Sequence, residues 1–532
     1  MSQHLLIVGA GPAGAAAALA ATKHPDVRVS VLDIGGQLEE HHSGSRARMA
    51  GTDPAMWRED DRVTISQLPV DSGIKGLPEK RAFGSNFPFR DFGQRNGISA
   101  SEGLNEAVVS GAYGGFSNVW GAQIMPFTKA TFRSWPVPAD LMYEHYSAIL
   151  GTVPQAAELD DLAELFPILG KSSPLPPVSP RTASVLDRYA RSRRRLRANG
   201  IIAGRARLAM DAPECVRCGL CMTGCPYELI YSAAQTMDVL RRQKALEYHS
   251  GLLAVHVSED DDRVTVAARE LQTGQLHEFQ ADRVVLACGA IGTSRLILGS
   301  LGLHDTSIEL SEAVQFMLPF FSREGVTDPR VTADFTLNQF NIAIDLDGQG
   351  RDISQLHFYT FNPAFEQALP TAMQAAWARR PRRELLRRLS VALGYLPSWG
   401  SPGFRIRVRP GQRGQLPPLE ISGDKPAYRN NTMLRQTVRR LLAAAPALDL
   451  WPVLPMLQMS AGGKSYHWGA TFPHAPSSRN RMSSDLLGRV EPWSRIHAVD
   501  ASVFPNVPAT TFTLTIMANA HRIVTQALQV DP

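Results

Sequence analysis

The sequence has few cysteines for its length and no long uninterrupted apolar run. Only five of its 532 residues are cysteine, and four of these lie in one short segment, so they do not form a distributed disulfide framework. The best candidate for a membrane span, residues 441–463, is interrupted by Pro446, Asp449, Pro452 and Pro455. The sequence therefore predicts neither a disulfide-stabilised scaffold nor a membrane-spanning protein.

A strong charge of one sign and a leader pattern are also missing. The net charge of +5 is mild for 532 residues and does not require an acidic partner, so we predict no nucleic-acid binding. Residues 4–8 run directly into a glycine loop without a basic region or a cleavage site, so we expect no secretory signal. Together with the bunched cysteines, this predicts a reducing, cytoplasmic location.

What the sequence does contain begins with a nucleotide-binding pattern. An apolar run at residues 5–8 precedes the turn G-A-G-P-A-G at 9–14; an alanine-rich helix, a second apolar run at 27–32 and Asp33 follow. Glycines in such a turn let the backbone approach a pyrophosphate at a helix N-terminus, and the acid can hold ribose hydroxyls. The pattern predicts a dinucleotide but does not choose between FAD and NAD.

Two further segments place small residues where backbone could meet a flat cofactor. Residues 111–121 read G-A-Y-G-G-F-S-N-V-W-G, although a simple tight turn before a helix has the same composition. Residues 281–296 predict a buried strand that enters a helix through a small-residue turn. Residues 36–99 predict loops over the nucleotide, and 252–279 predict a small β-meander.

The four bunched cysteines read C-V-R-C-G-L-C-M-T-G-C-P at residues 215–226. This spacing resembles the bacterial ferredoxin run, so we predict a 4Fe-4S cluster bound by Cys215, Cys218, Cys221 and Cys225. Structural zinc, disulfides and free thiols are the alternatives. The fourth cysteine of such a run serves a second cluster in two-cluster ferredoxins, so Cys225 is the least secure ligand.

Residues from about 311 to 460 predict a second domain built on antiparallel sheet, as in the alternating stretch 403–409. Two basic segments, the predicted helix at 179–199 and the amphipathic stretch at 376–389, are best explained as solvated faces. Docking of an acidic partner at the first, or contact with an anionic membrane surface at the second, is less favoured. The predicted fold class is therefore α/β plus β.

Five motifs follow one another along the chain: G-A-G-P-A-G, G-G-F-S-N-V-W-G, A-C-G-A-I-G-T-S-R-L, H-W-G-A-T and D-A-S-V-F-P. In this order they resemble the glucose-methanol-choline (GMC) oxidoreductases, flavoenzymes that oxidise alcohols and sugars. The resemblance covers both ends of the chain and the strand near residue 287. It implies an FAD-binding domain at 1–310 that includes the cysteine loop at 210–230, a substrate domain at 311–460, and a return to the FAD domain at 461–532.

The resemblance also implies FAD rather than NAD. The implied FAD contacts are Gly9, Gly11, Gly14, Asp33, Gly114, Gly115, Asn118, Gly289, Asp500 and Ala501. Relatives with a covalent flavin carry a histidine where this chain has Val119, so we predict non-covalent FAD. His467 matches the catalytic histidine of the family, although Ala470 replaces a usual glycine. Thr511 stands where the family has a second histidine or asparagine.

The resemblance implies an FAD-dependent enzyme that oxidises an alcohol or sugar hydroxyl. FAD accepts a hydride from the alcohol carbon, and a histidine such as His467 suits removal of the hydroxyl proton because the ordinary pKa of histidine lies near neutrality. Threonine cannot act as a base, so Thr511 is either a substrate anchor or a sign of a different reaction. If the cluster is present, electrons leave through it to a carrier protein, which favours a dehydrogenase over an oxidase. A flavin and iron–sulfur reductase, an electron-transfer flavoprotein and a non-redox protein are the alternatives.

Overall fold

The computed structural model describes residues 3–67, 81–101, 104, 109–331, 334–359, 361, 373, 375–400, 403–423, 431–476 and 481–530. The α-helices are α1 (Pro12–Ala21), α2 (Glu40–Ala50), α3 (Glu59–Ser66), α4 (Lys129–Phe132), α5 (Ala139–Leu150), α6 (Pro180–Ala198), α7 (Ala233–Arg242), α8 (Ala290–Ser300), α9 (Arg379–Leu386), α10 (Thr432–Leu448) and α11 (Thr513–Ala527). The strands are β1 (Gln3–Val8), β2 (Val27–Leu32), β3 (Ile98–Ala100), β4 (Ile201–Arg205), β5 (Glu247–His249), β6 (Leu252–Glu259), β7 (Val264–Glu270), β8 (Leu276–Ala281), β9 (Arg283–Leu286), β10 (Ser307–Glu312), β11 (Val314–Phe321), β12 (Asn338–Asp345), β13 (Ile353–Tyr359), β14 (Leu389–Leu396), β15 (Phe404–Val408), β16 (Leu419–Gly423), β17 (Trp451–Pro452), β18 (Gln458–Met459), β19 (Trp468–Gly469) and β20 (Ile496–Ala498).

The first sheet is parallel, in the order β20-β9-β1-β2-β5. Its central strands β1 and β9 are almost entirely buried, as expected for a parallel sheet covered on both faces. Helix α1 consists largely of alanine, whose small side chain lets α11 from the C-terminal end pack closely against it. Strand β20 from the same end completes the sheet.

The largest sheet is antiparallel, in the order β17-β11-β14-β13-β12-β4, with β18 also paired to β11. One of its faces is apolar and packs against α6 and α10. The opposite face carries polar side chains at matched positions of four strands, namely Gln315, Tyr395, Gln355, His357 and Asn341. Alternation along each strand therefore separates a helix-covered face from a polar one.

Two smaller sheets connect these units. Strand β10 pairs with β15 and β19 in a sheet of order β19-β10-β15-β16-β3. Strands β6, β7 and β8 form the predicted meander. The predicted α/β plus β architecture is confirmed, although β4 and α6 of the antiparallel unit precede residue 311 in the chain.

Two segments differ from the sequence expectation. The sequence predicts a helix over 233–248, but α7 ends at Arg242; Lys244 adopts a left-handed φ of 55°, and the chain then enters β5. The amphipathic stretch 376–389 belongs to a longer sequence segment, 365–396. Within the stretch only α9 is an α-helix, and Leu389 already begins β14. Residues 365–372 and 374 of the longer segment lie outside the described residues.

The basic helices carry ion pairs, as the solvated-face interpretation expects. In α6, Arg191 pairs with Asp187, and at the end of α9, Arg387 and Arg388 both pair with Glu384. Surface pairs of this kind contribute little to stability. No helix among the described residues is long and apolar enough to cross a membrane.

Candidate functional site

The glycine turn after β1 divides into residues that shape it and one that faces open space. Gly9 has a φ of 104°, and a Cβ there would overlap the carbonyl oxygen of Ala287. A Cβ on Gly14 would overlap the carbonyl oxygen of Gly9. A Cβ on Gly11 would meet no described atom within 4 Å. Gly9 and Gly14 therefore fix the turn, whereas Gly11 lines a space beside the N-terminus of α1.

Asp33 lies at the end of β2, next to this turn. Its carboxylate accepts hydrogen bonds from the Ala10 amide at 3.2 Å and from the Tyr248 hydroxyl at 3.0 Å. Burial raises the pKa of Asp33 to about 6, and these donors oppose the shift. The sequence predicted Asp33 but gave no signal for Tyr248, which β5 brings in through its pairing with β2.

The loop at 111–121 lies against the glycine turn. Gly114 and Gly115 have φ values of 85° and 60°, and a Cβ on Gly115 would lie 3.3 Å from the Gly11 Cα. The Asn118 amide donates to the carbonyl oxygens of Tyr113 at 2.9 Å and Gly115 at 2.7 Å. In this structure Asn118 holds the loop together, and its contact with a cofactor stays a prediction.

The C-terminal segment meets the same space through Asp500. Its buried carboxylate accepts from the Thr293 hydroxyl at the start of α8 and from the Ser502 amide at 2.9 Å; burial raises its pKa. Gly289, which caps α8 with a φ of 78°, has room for a Cβ. The carbonyl oxygen of Ala501 accepts from the Ala470 amide at 2.9 Å. Asp500 and Ala501 therefore join α8 to the segment that carries His467.

Gly11 and Gly289 leave room beside the glycine turn, because a Cβ at either position would meet no described atom within 4 Å. The N-terminus of α1, where backbone amides attract a pyrophosphate, and Asp33 at the end of the neighbouring strand have the arrangement that a dinucleotide requires. The residues that the sequence assigned to FAD thus come together from four separate parts of the chain. The residues present fit FAD, and their individual contacts with it stay predictions.

The His467 ring lies between two aromatic rings from different units. It is nearly parallel to Tyr395 of β14, at 4.8 Å between ring centres and 19° between planes, and its centre is 4.6 Å from that of Phe512. Tyr466, the preceding residue, contacts Phe116 of the 111–121 loop. The candidate FAD site formed by the 9–14 turn, Asp33, the 111–121 loop and Gly289 is called the cradle below. His467 therefore lies between the cradle and the polar face of the antiparallel sheet.

Thr511 directly precedes Phe512 in the chain and lies on the same side of the site. Its buried hydroxyl donates to the Gln123 carbonyl oxygen at 3.2 Å. Thr511 is thus one residue along the chain from Phe512, whose ring contacts His467. Thr511 has a hydrogen-bond acceptor within the protein, in agreement with a role other than that of a base.

The polar face of the large sheet supplies site residues that the sequence interpretation missed. Gln355 lies directly opposite Tyr395, and His357 directly opposite Asn341. Both side-chain atoms of Asn341, both of Gln123, and the Gln355 amide oxygen are buried and have no hydrogen-bond partner among the described residues. Buried amides are almost always hydrogen-bonded, so these positions mark where water or a ligand belongs. The sequence signal that could have identified these residues is the presence of amide side chains within otherwise apolar strands.

The four cysteines of the 215–226 loop line one small pocket with Met210, Tyr227, Leu229 and Ile230. All five cysteines of the chain are free thiols, so the disulfide alternative is not realised. Burial raises the pKa of each of the four, that of Cys218 to about 12, and the neighbouring thiols add to the shift. No group of three or more His, Cys, Asp or Glu side chains in the described ranges has the geometry to hold a metal ion.

The cysteine loop is connected to both sides of the site. Behind it, the Trp120 indole donates to the Tyr231 carbonyl oxygen at 2.8 Å, which ties the loop to the 111–121 segment. In front of it, Met222 packs against a buried cluster that includes Tyr395 and Ala509. The cysteines therefore lie close to the glycine-rich loop of the cradle and to the tyrosine that stacks on His467.

The comparisons with known proteins agree with this geometry. Residues 100–314 match a family model described as GMC oxidoreductase. Pyridoxine 4-oxidase from Mesorbium loti superposes with a TM-score of 0.63 and 16% identity, over 100% of both chains. A formate oxidase structure gives a TM-score of 0.63 and 14% identity over 99% of this chain and 98% of that chain. Another, from Aspergillus oryzae RIB40 and concerned with FAD modification, gives 0.61 and 14% identity. No curated protein matches by sequence.

The chain has the GMC oxidoreductase fold. The family match supports an oxidoreductase, and its matched range contains the 111–121 loop and the cysteine loop but not the 9–14 turn or His467. Ala470, which replaces a usual GMC glycine, has a φ of 61°. This left-handed conformation favours glycine, which explains why glycine is usual there and why alanine is a strained substitute.

Two glycine substitutions separate cofactor binding from folding. We expect Gly11→Ala to leave the unfolding temperature of the apoprotein almost unchanged but to weaken FAD binding, because the added methyl group enters open space that the nucleotide requires. Gly14→Ala should destabilise the apoprotein itself by about 1–3 kcal/mol through overlap with backbone. Thermal unfolding without FAD and titration with FAD measure the two effects. Gly51→Ala, with no overlap, is the control; equal FAD affinity in Gly11→Ala would place the nucleotide elsewhere.

Proposed function

We propose that this protein is an FAD-dependent oxidoreductase of the GMC type that oxidises a CH–OH group of a small alcohol or sugar. The observation that carries the proposal is the position of His467, whose ring stacks on Tyr395 and contacts the tilted ring of Phe512 at the junction of the cradle and the polar sheet face. FAD, when bound, accepts the hydride from the alcohol carbon. Gly9, Gly11, Gly14, Asp33, Gly114, Gly115, Asn118, Gly289, Asp500 and Ala501 are the residues we assign to holding it.

In this mechanism His467 accepts the hydroxyl proton of the substrate. The two flanking rings restrict rotation of the imidazole and therefore fix the direction of its lone pair, which favours a productive approach. Thr511 positions the wall through its bond to Gln123 and takes no proton. At position 119 valine has no nucleophilic atom, which supports non-covalent FAD.

Replacement of His467 tests the proposed base. We expect His467→Ala to lower the rate of flavin reduction by an alcohol or sugar about 100- to 10,000-fold, because general-base catalysis contributes that much. Thr511→Val should have a much smaller effect. Stopped-flow absorbance of the flavin under anaerobic conditions measures both rates, with the exposed loop residue His304 changed to Ala as the control. A rate in His467→Ala within threefold of wild type contradicts the assignment.

The buried amides support a substrate that forms several hydrogen bonds. An apolar alcohol would leave Gln123, Asn341 and the Gln355 oxygen without partners, at a cost of about 1–3 kcal/mol for each unsatisfied group. A substrate with additional hydroxyl groups would satisfy them. Among alcohols, the proposal therefore favours polyhydroxylated molecules over aliphatic ones of the same length.

Substitution of one buried amide tests this preference. We expect Asn341→Leu to raise KM for a polyhydroxylated substrate about tenfold while leaving KM for an aliphatic alcohol of equal chain length unchanged, since only the first loses a hydrogen bond. Steady-state kinetics with both substrates measure the difference. The exposed Gln436 of α10, changed to Leu, is the control. Equal effects on both substrates would indicate a structural role for Asn341.

We also propose that Cys215, Cys218, Cys221 and Cys225 bind a 4Fe-4S cluster. The support is the arrangement of four thiols around one pocket and the ferredoxin-like spacing. Zinc is disfavoured because a structural zinc site needs four ligands on one ion, and no group of three or more His, Cys, Asp or Glu side chains among the described residues could hold one. A cluster carries single electrons, so a carrier protein would be the acceptor and the enzyme a dehydrogenase. A reductase or an electron-transfer flavoprotein with a redox partner is the second candidate, favoured by the same pocket.

Metal analysis tests the cluster directly. We expect protein purified without oxygen to contain about four iron and four sulfide per chain, and replacement of the four loop cysteines by serine to remove the iron and leave FAD. Cys288→Ser, outside the loop, should retain the iron. Protein that holds FAD but no iron rules the cluster out. Comparison of oxygen with a dye as electron acceptor then distinguishes a dehydrogenase from the oxidases whose structures the fold resembles.

A further inference from the structure

Glu312 is a buried carboxylate with no part in the function described so far. It is the last residue of β10 and is 2% exposed. Its carboxylate accepts hydrogen bonds from the Ser465 hydroxyl at 2.6 Å, the Ser465 amide at 3.2 Å and the Gly463 amide at 3.0 Å. Burial raises its pKa to about 7, and only these neutral donors oppose the shift.

These bonds continue to the proposed base through one atom. The Ser465 hydroxyl, which donates to Glu312, accepts a hydrogen bond from the His467 amide at 3.0 Å. On the far side of His467, its carbonyl oxygen accepts from the Ala313 amide at 3.2 Å, and Trp468 pairs with Glu312 in the ladder between β10 and β19. The end of β10 therefore holds the His467 backbone from both directions.

The held segment is conformationally strained. Tyr466 and Ala470, on either side of His467, have φ values of 58° and 61°, in the left-handed region that non-glycine residues rarely adopt. Backbone of this kind persists only where its surroundings determine it. Burying a carboxyl group without a cationic partner costs free energy, because hydrophobic packing would stabilise the fold as well or better. The hydrogen bonds to Gly463 and Ser465 are what Glu312 provides that an apolar side chain could not.

We propose that Glu312 is a positioning residue that fixes the ring of His467 by clamping Gly463 and Ser465. The proposal rests on the function proposed above in one respect, namely that His467 is the base. The clamp acts on the backbone of His467, and the stack with Tyr395 and Phe512 then fixes the ring. Loss of the clamp leaves the substrate-binding amides in place but misdirects the imidazole.

Glu312→Gln tests the clamp with nearly the same shape. We expect kcat to fall about tenfold or more, since small misplacement of a catalytic group costs that much, while KM changes less than twofold and the unfolding temperature stays within about 2 °C. Glu309→Gln is the matched control, because Glu309 lies on the same strand with its side chain exposed. Ser465→Ala should reproduce the kcat loss, and the double variant should be no slower than the slower single variant, because both substitutions break one chain of bonds.

Hydrogen exchange provides a measurement that does not depend on activity. In Glu312→Gln we expect faster exchange of the Gly463, Ser465 and His467 amides and unchanged exchange in β15, the other neighbour of β10. If the wild-type protein reduces its flavin with no alcohol or sugar, the proposed function fails, and exchange still tests the clamp. Wild-type kcat in Glu312→Gln, additive losses in the double variant, or unchanged exchange at the three amides would each overturn the inference.

Discussion

The structure depends on the parallel pairing of β20 with β9, because this pairing returns the C-terminal segment to the nucleotide sheet. Helix α11 can then pack on α1, and Asp500 meets Thr293 at the start of α8. Only with this return does the Ala501 carbonyl reach the Ala470 amide and hold the segment of His467 beside the cradle. The candidate base and the candidate cofactor site lie at opposite ends of the sequence, and one short strand brings them together.

The parts of the site that could be predicted from the sequence are those specified by local patterns. The 9–14 turn, Asp33 and the strand before Gly289 each follow from neighbouring residues, because a tight turn or a buried strand limits which residues fit. The polar face of the large sheet could not be predicted, because the register of β12, β13 and β14 is set by contacts distant in sequence. Strand β14 was not predicted for the same reason, because its apolar residues follow an arginine-rich helix and resemble a continuation of that helix.

The residues on the two sides of His467 differ in whether their polar groups already have hydrogen-bond partners within the protein. This difference separates residues that position His467 from residues proposed to recognise the substrate. Behind His467, Glu312 and Ser465 have their hydrogen bonds within the protein, so this side is rigid before a substrate arrives. In front, Asn341 and Gln123 have buried side-chain amides without partners among the described residues, and under the proposed function these amides gain their hydrogen bonds from water or substrate. Preorganised groups favour the chemical step, and unsatisfied groups favour discrimination between substrates.

A role of the cysteine loop in the proposed catalysis does not require electrons to pass through it. It is fixed to the 111–121 loop through Trp120 and Tyr231, and Met222 packs on the cluster that contains Tyr395. A group that fills the cavity between the thiols therefore also supports the ring that stacks on His467. These two effects differ in kinetics: loss of support slows reduction of the flavin, whereas loss of an electron path slows only its reoxidation. The two half-reactions can be measured separately, so their rates distinguish a loop that only supports the Tyr395 ring from a loop that also carries electrons.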